Sequence, residues 1–119
     1  MNQEIKEKWV AALRSGKYTQ GHASLCKDNK YCCLGVLCEL AVEEGITTKL
    51  VNDNHIYYGK YKNNAYPPQE VCEWADFGKE KCNYDYIKNP EINGYRLDKY
   101  NDDLNKNFNE IADLIEAHL

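Results

Sequence analysis

No apolar run in this chain is long enough to cross a bilayer. The longest, Cys32 to Cys38 of a 119-residue sequence, falls far short of the ~20 residues that a spanning helix needs. An apolar leader is missing too. Met1 is followed by NQEIKEKWVAAL, charged and helical in pattern, which is the wrong composition for a secretion signal. The expectation is a cytoplasmic protein with no membrane partner. Its six cysteines are then read as free thiols, because a reducing compartment leaves few disulfides.

An excess of positive charge is lacking as well. With 15 basic and 19 acidic residues the net charge is -4, which argues against a nucleic acid polymer as partner. It leaves room for a small phosphorylated ligand held by one or two local cations. Neither G-x-x-x-x-G-K-[ST] nor G-x-G-x-x-G occurs, so no standard phosphate cradle is present. Paired metal-ligand spacing is absent: the cysteines run C-x5-CC-x4-C, with Cys72 and Cys82 far downstream, and His22, His55 and His118 are scattered. Structural zinc sites use close cysteine or histidine pairs, so neither a metal nor another cofactor is expected.

What is present describes one globular domain spanning residues 1–119. The chain is 43% hydrophobic and 29% charged, ordinary for a folded protein of this size. Ile5, Trp9, Ala12 and Leu13 repeat at helical spacing between an Asn2 cap and a Gly16 stop. The stretch YTQGHASLCKDNKYCC reads as two short strands around an Asp28-Asn29 turn. Residues 46–66 add one or two strands, ITTKLV and HIYYGKY. PPQEVCEWADFG is a short helix with proline at its first turn, Val71, Trp74 and Ala75 inward, and Gly78 at its end. Residues 79–96 read as irregular. Leu97 and Tyr100 suit a helical turn, and Asn107 with Glu110 forms a capping box ahead of Phe108, Ile111, Ala112, Leu114 and Ile115. The fold class is therefore α+β, a small antiparallel sheet packed against about four helices.

The segment YCCLGVLCEL, residues 31–40, holds three of the six cysteines. Leu34, Leu37, Cys38 and Ala41 make one apolar helical face, while Val36 and Leu40 make the opposite face apolar too. Such a helix belongs at the centre of a domain, so residues 34–44 are assigned there, with Gly35 allowing another element to approach closely. An alternative is chemical: Cys32 or Cys33 at a helix start, activated as a nucleophile with His55 as base, as in papain-like thiol hydrolases. The structural reading, with buried and inert thiols, is preferred.

The segments KWVAALRSGKYTQG, YCCLGVLCELAVEEG and FNEIADLIE together resemble a group of small proteins encoded by tailed bacteriophages and prophages. That resemblance implies an accessory protein that works by binding in the host cytoplasm, without catalysis. It carries no catalytic residues over. The expected function is counter-defence, a sponge for a host nucleotide immune signal. Inhibition of a host protein is the alternative, and homo-oligomer formation is left open. Ten tyrosines and thirteen asparagines suit base stacking and hydrogen bonding. Outside the expected helix cores, a nucleotide site is placed at Lys17, Tyr18 and Gln20 after the first helix, and at Tyr95, Arg96, Asn101 and Asp102.

Overall fold

The computed structural model describes residues 1–77 and 90–119. Five helices occur among these: α1 (Gln3–Arg14), α2 (Cys33–Glu43), α3 (Gln69–Ala75), α4 (Leu97–Asp102) and α5 (Phe108–His118). Seven short strands accompany them: β1 (Thr19–Gln20), β2 (Cys26–Lys27), β3 (Lys30–Tyr31), β4 (Lys49–Asn52), β5 (His55–Tyr58), β6 (Glu91–Ile92) and β7 (Tyr95–Arg96). The first five form one sheet in the order β1-β3-β2-β5-β4, and β6 and β7 form a separate hairpin. The architecture is α+β. The main sheet is mixed, because β1 runs parallel to β3 while its other pairings are antiparallel.

The helix boundaries follow from their caps. Asn2 accepts the Ile5 N–H at 3.1 Å and starts α1, and Gly16 leaves it with a positive φ of 77°. Asn107 and Glu110 exchange hydrogen bonds of 2.8 and 3.2 Å, the reciprocal box expected for α5. The expected Gly78 stop of α3 lies outside the described residues. Within them, Asp76 ends that helix in the left-handed conformation.

The core is built around α2. Cys33, Leu34, Val36, Leu37, Cys38 and Ala41 are all fully enclosed, so this helix packs into the core around most of its circumference, as its composition requires. Gly35 lies against the loop before β2: a Cβ there would stand 1.9 Å from the Leu25 carbonyl oxygen. Only a residue without a side chain fits that approach. Trp9 of α1 is also fully buried, and its indole N–H donates to the Cys33 carbonyl at 2.9 Å.

One face of the sheet points toward α2. Its Cys26, Ile56 and Tyr58 are buried. Glu39, a buried carboxylate on α2, accepts from the Tyr58 hydroxyl and from Lys49 Nζ, both at 2.9 Å. Both carboxylate oxygens thus have donors, which burial of a charge demands.

Candidate functional site: the open face of the sheet

A tight turn between β2 and β3 helps set the opposite face of the sheet. Asp28 and Asn29 both have positive φ, 54° and 61°, the conformation that two-residue hairpin turns need. The turn places Lys27 directly opposite Lys30. Lys27 also pairs with His55 on β5, His55 with Asn52 on β4, and Lys30 with Thr19 on β1. Partners in register project to the same face. One line of side chains, Thr19–Lys30–Lys27–His55–Asn52, therefore crosses all five strands. Strands lie about 4.8 Å apart, so Lys30 to His55 spans about 10 Å.

The adjoining line on that face carries Tyr57 and Leu50, which pair across β5 and β4. The His55 and Tyr57 rings lie 6.0 Å apart. Lys27, Lys30, Asn52 and Leu50 are exposed, and His55 and Tyr57 half-buried. Like charges directly opposite one another in a sheet are destabilising. Among the described residues no carboxylate forms an ion pair with Lys27 or Lys30; Asp28, in the turn between them, pairs with neither. The local balance differs from that of the whole chain. Residues 19–31 and 49–64 hold five lysines, at 27, 30, 49, 60 and 62, against two aspartates, at 28 and 53. Of these lysines Lys49 is neutralised, by Glu39, and among the described residues none of the other four forms an ion pair.

The residues assigned to a ligand site from sequence fall into three separate places. Lys17 and Tyr18 form a surface stack: the ammonium lies 5.4 Å from the Tyr18 ring centre, and Tyr18 meets Tyr31 edge-on at 5.2 Å. Tyr95 and Arg96 belong to the β6–β7 hairpin, where Tyr95 packs on Tyr100 and Arg96 Nε donates to Asp98 at 3.1 Å. Gln20, Asn101 and Asp102 do come together, in an internal lock. Asn101 is wholly buried. Its Oδ1 accepts from Gln20 Nε2 at 3.0 Å and from the Cys33 N–H at 3.3 Å. Its Nδ2 donates to the Gly21 carbonyl and to Asp102 Oδ1, both at 2.8 Å. Asp102 Oδ1 also accepts the Ala23 N–H at 3.0 Å. All four hydrogen-bonding positions of the Asn101 amide are filled from inside the chain. Its assignment to a ligand is corrected on that ground: residue type disclosed the polar group and not its burial.

The junction cysteines are packed as the structural reading expects. Cys32 caps α2, its Sγ accepting the Gly35 N–H at 3.4 Å. Burial outweighs that bond and raises its pKa to about 12. Burial also pushes Cys33 and Cys38 well above the ordinary thiol value. An activated nucleophile needs the opposite shift. His55 faces the open side of the sheet while both cysteines lie on its covered side, so the fold does not assemble the thiol–imidazole pair. Cys82 lies outside the described residues. Among the described residues no group of three or more His, Cys, Asp or Glu side chains is placed to hold a metal ion.

These thiols carry a prediction with a definite sign. Ellman's reagent added to the folded protein at pH 7.5 should modify Cys32, Cys33 and Cys38 only as fast as the chain opens. Their folded pKa values exceed the unfolded value of about 8.5. Stability from this source is therefore complete below pH 8.5 and is lost as pH rises toward 12. Rapid labelling of one of the three at neutral pH would contradict this.

Comparison with known proteins is decisive at one level. Residues 1–119 match the family described as "Domain of unknown function (DUF8296)". The chain belongs to that family. No curated protein and no solved structure matches it. The DUF8296 match covers the whole chain, so the cationic line and the Asn101 lock both fall within the family's domain. Sequence reasoning did not find the cationic line, although half of its signal was available. The turn in CKDNKY already sets Lys27 against Lys30, whereas their alignment with His55 and Asn52 depends on pairing between distant strands.

Proposed function

We propose that this DUF8296 protein is a binding protein of tailed-phage type, which holds a small phosphorylated ligand on the open face of its sheet. The observation that carries this reading is the unneutralised pair Lys27–Lys30 aligned with His55 and Asn52. An anion laid along the line relieves the repulsion between the lysines, and charge-assisted hydrogen bonds to phosphate oxygens are among the stronger polar contacts. Span and composition both suit a nucleotide. Two lysines beside an imidazole within about 10 Å match a short phosphate chain. Tyr57 and His55 offer rings for a base, and Asn52 and Thr19 offer hydrogen bonds. The role in the host cytoplasm is counter-defence, by sequestering a nucleotide immune signal.

Calorimetric titration with cyclic and ADP-ribose-type nucleotides tests the reading. Binding is expected for at least one class. It should weaken at least tenfold in Lys27→Ala and in Lys30→Ala, and fall as salt rises from 50 to 300 mM, because exposed charges are screened. Both side chains are exposed, so melting temperatures should stay within a few degrees of the native value. Absence of binding across the panel, with recovery of a host protein that depends on Lys27, would move the assignment to a protein inhibitor.

A further inference from the structure

Two hairpin turns meet at one end of the sheet and hold the cationic line together there. Lys27 and Lys30 close the two-residue turn Asp28–Asn29. The closing pair of such a turn is hydrogen-bonded, with Cα atoms about 5.5 Å apart. Asn52 and His55 close the second turn, Asp53–Asn54, with Asp53 at a φ of 53°. The Asp28 N–H donates to the Asn54 carbonyl at 2.7 Å, which ties one turn to the other. Bonded and non-bonded pairs alternate along a ladder, so Lys27–His55 is the non-bonded kind, with Cα atoms about 4.5 Å apart and side chains closer. Backbone bonds thus keep both lysines and the imidazole on one face, against the repulsion between the ammonium groups. Asp28 and Asp53 lie in the turns themselves, and neither forms an ion pair with a described residue.

We infer that the ligand presents two negative charges side by side to this lysine pair, as a pyrophosphate link or a terminal phosphate, and is not a cyclic phosphodiester. The inference rests on the nucleotide reading above and narrows it to one class. Ammonium groups carried on Cα atoms about 5.5 Å apart can converge on one phosphate or on two joined ones. A terminal phosphate ester carries about −1.5 to −2 charge at pH 7, enough for both lysines. A pyrophosphate link supplies one charge on each of two adjoining phosphates. A cyclic mononucleotide has a single charge and leaves one lysine unneutralised. A cyclic dinucleotide holds its two charges on opposite sides of a ring, so one at a time reaches the pair. The aromatic rings agree with this choice, because His55 and Tyr57 both belong to β5, on one flank of the lysines, while the other flank carries Thr19. A ligand with its charge at one place and its base to one side fits that order, whereas a symmetrical ring with two bases does not.

Calorimetry of the full chain at pH 7.5 with ADP-ribose, 5′-AMP, 3′,5′-cyclic AMP and cyclic di-AMP tests this, because the four share a base and differ in the number and placement of their charges. ADP-ribose and 5′-AMP should bind at least tenfold more tightly than either cyclic compound. Cyclic di-AMP carries as much total charge as ADP-ribose, so its weaker binding separates adjacency of charge from amount. In Lys27→Gln and in Lys30→Gln the preference should shrink to threefold or less, since a single lysine is matched by a single charge. Lys8→Gln on α1, where Glu44 pairs with that lysine at 2.7 Å, should leave the preference unchanged. Cyclic compounds that bind as tightly as ADP-ribose, and lose binding in Lys27→Gln, overturn the inference and keep the site. A tenfold preference that persists in both lysine variants also overturns it. If none of the four binds, the site and the inference fall together.

Discussion

Gly35→Ala is expected to prevent folding, or to leave a protein destabilised by about 4 kcal/mol or more, at the severe end of single substitutions. The new methyl carbon would be placed 1.9 Å from the Leu25 carbonyl oxygen and 2.7 Å from the carbonyl carbon. Both obstacles are backbone, so no side-chain rotation relieves the clash. Nor is the loop free to retreat. The Leu25 carbonyl accepts the Cys32 N–H at 3.3 Å, and the Leu25 N–H donates to the Asn64 carbonyl at 2.7 Å. Leu25 itself is wholly buried. Moving the loop would break a bond on each side and open the core above α2. In intrinsic helix propensity alanine is better than glycine by about 1 kcal/mol, so an unobstructed position would gain from the change. The sign thus separates close packing from propensity. Loss of soluble protein, or a large drop in the urea midpoint at unchanged m-value, is the expected result; a midpoint equal to or above that of the native chain would contradict it.

That close approach was legible in the sequence because a glycine interrupts an otherwise bulky apolar helix. The same kind of signal located α1, α2 and α5, whose apolar residues repeat at helical spacing beside recognisable caps. Signals of that kind are local. Pairings between distant segments leave none, so the parallel contact of β1 with β3 had no sign in the composition of either strand. The candidate site divides along the same boundary. Lys27 opposite Lys30 follows from a four-residue turn, whereas adding His55 and Asn52 needs the register of β2 on β5, set by tertiary packing. Asn101 shows the limit most sharply. In the run YNDD it looks like any surface asparagine of an asparagine-rich chain, and only the folded structure places it at 0% exposure.

The burial of Asn101 gives the second large effect. Asn101→Ala should lower stability by about 3 kcal/mol, because removing one partner of a buried polar cluster leaves the others unsatisfied, at about 1–3 kcal/mol each. The groups left behind are the Cys33 N–H at the start of α2 and the Gly21 carbonyl, while Gln20 retains the Lys106 carbonyl at 2.8 Å. Asn101→Asp should be worse at neutral pH despite its matching shape. It replaces the donating amide by an acceptor facing the Gly21 carbonyl and the Asp102 carboxylate, and it buries a charge. The sign with pH follows from that geometry. Burial and the neighbouring carboxylate both favour the protonated acid in the folded state, so the folded pKa of the introduced group lies above the unfolded value of about 3.9. Stability from protonation is then complete below pH 3.9 and is lost as pH rises through the folded pKa. The gap between N101D and the native chain should therefore widen from pH 4 to pH 7, whereas the gap for N101A should stay level. Thermal melts of the three proteins at pH 4, 5.5 and 7 measure both gaps. Equal melting temperatures at pH 7 would show that the lock is not what joins α4 to the start of α2.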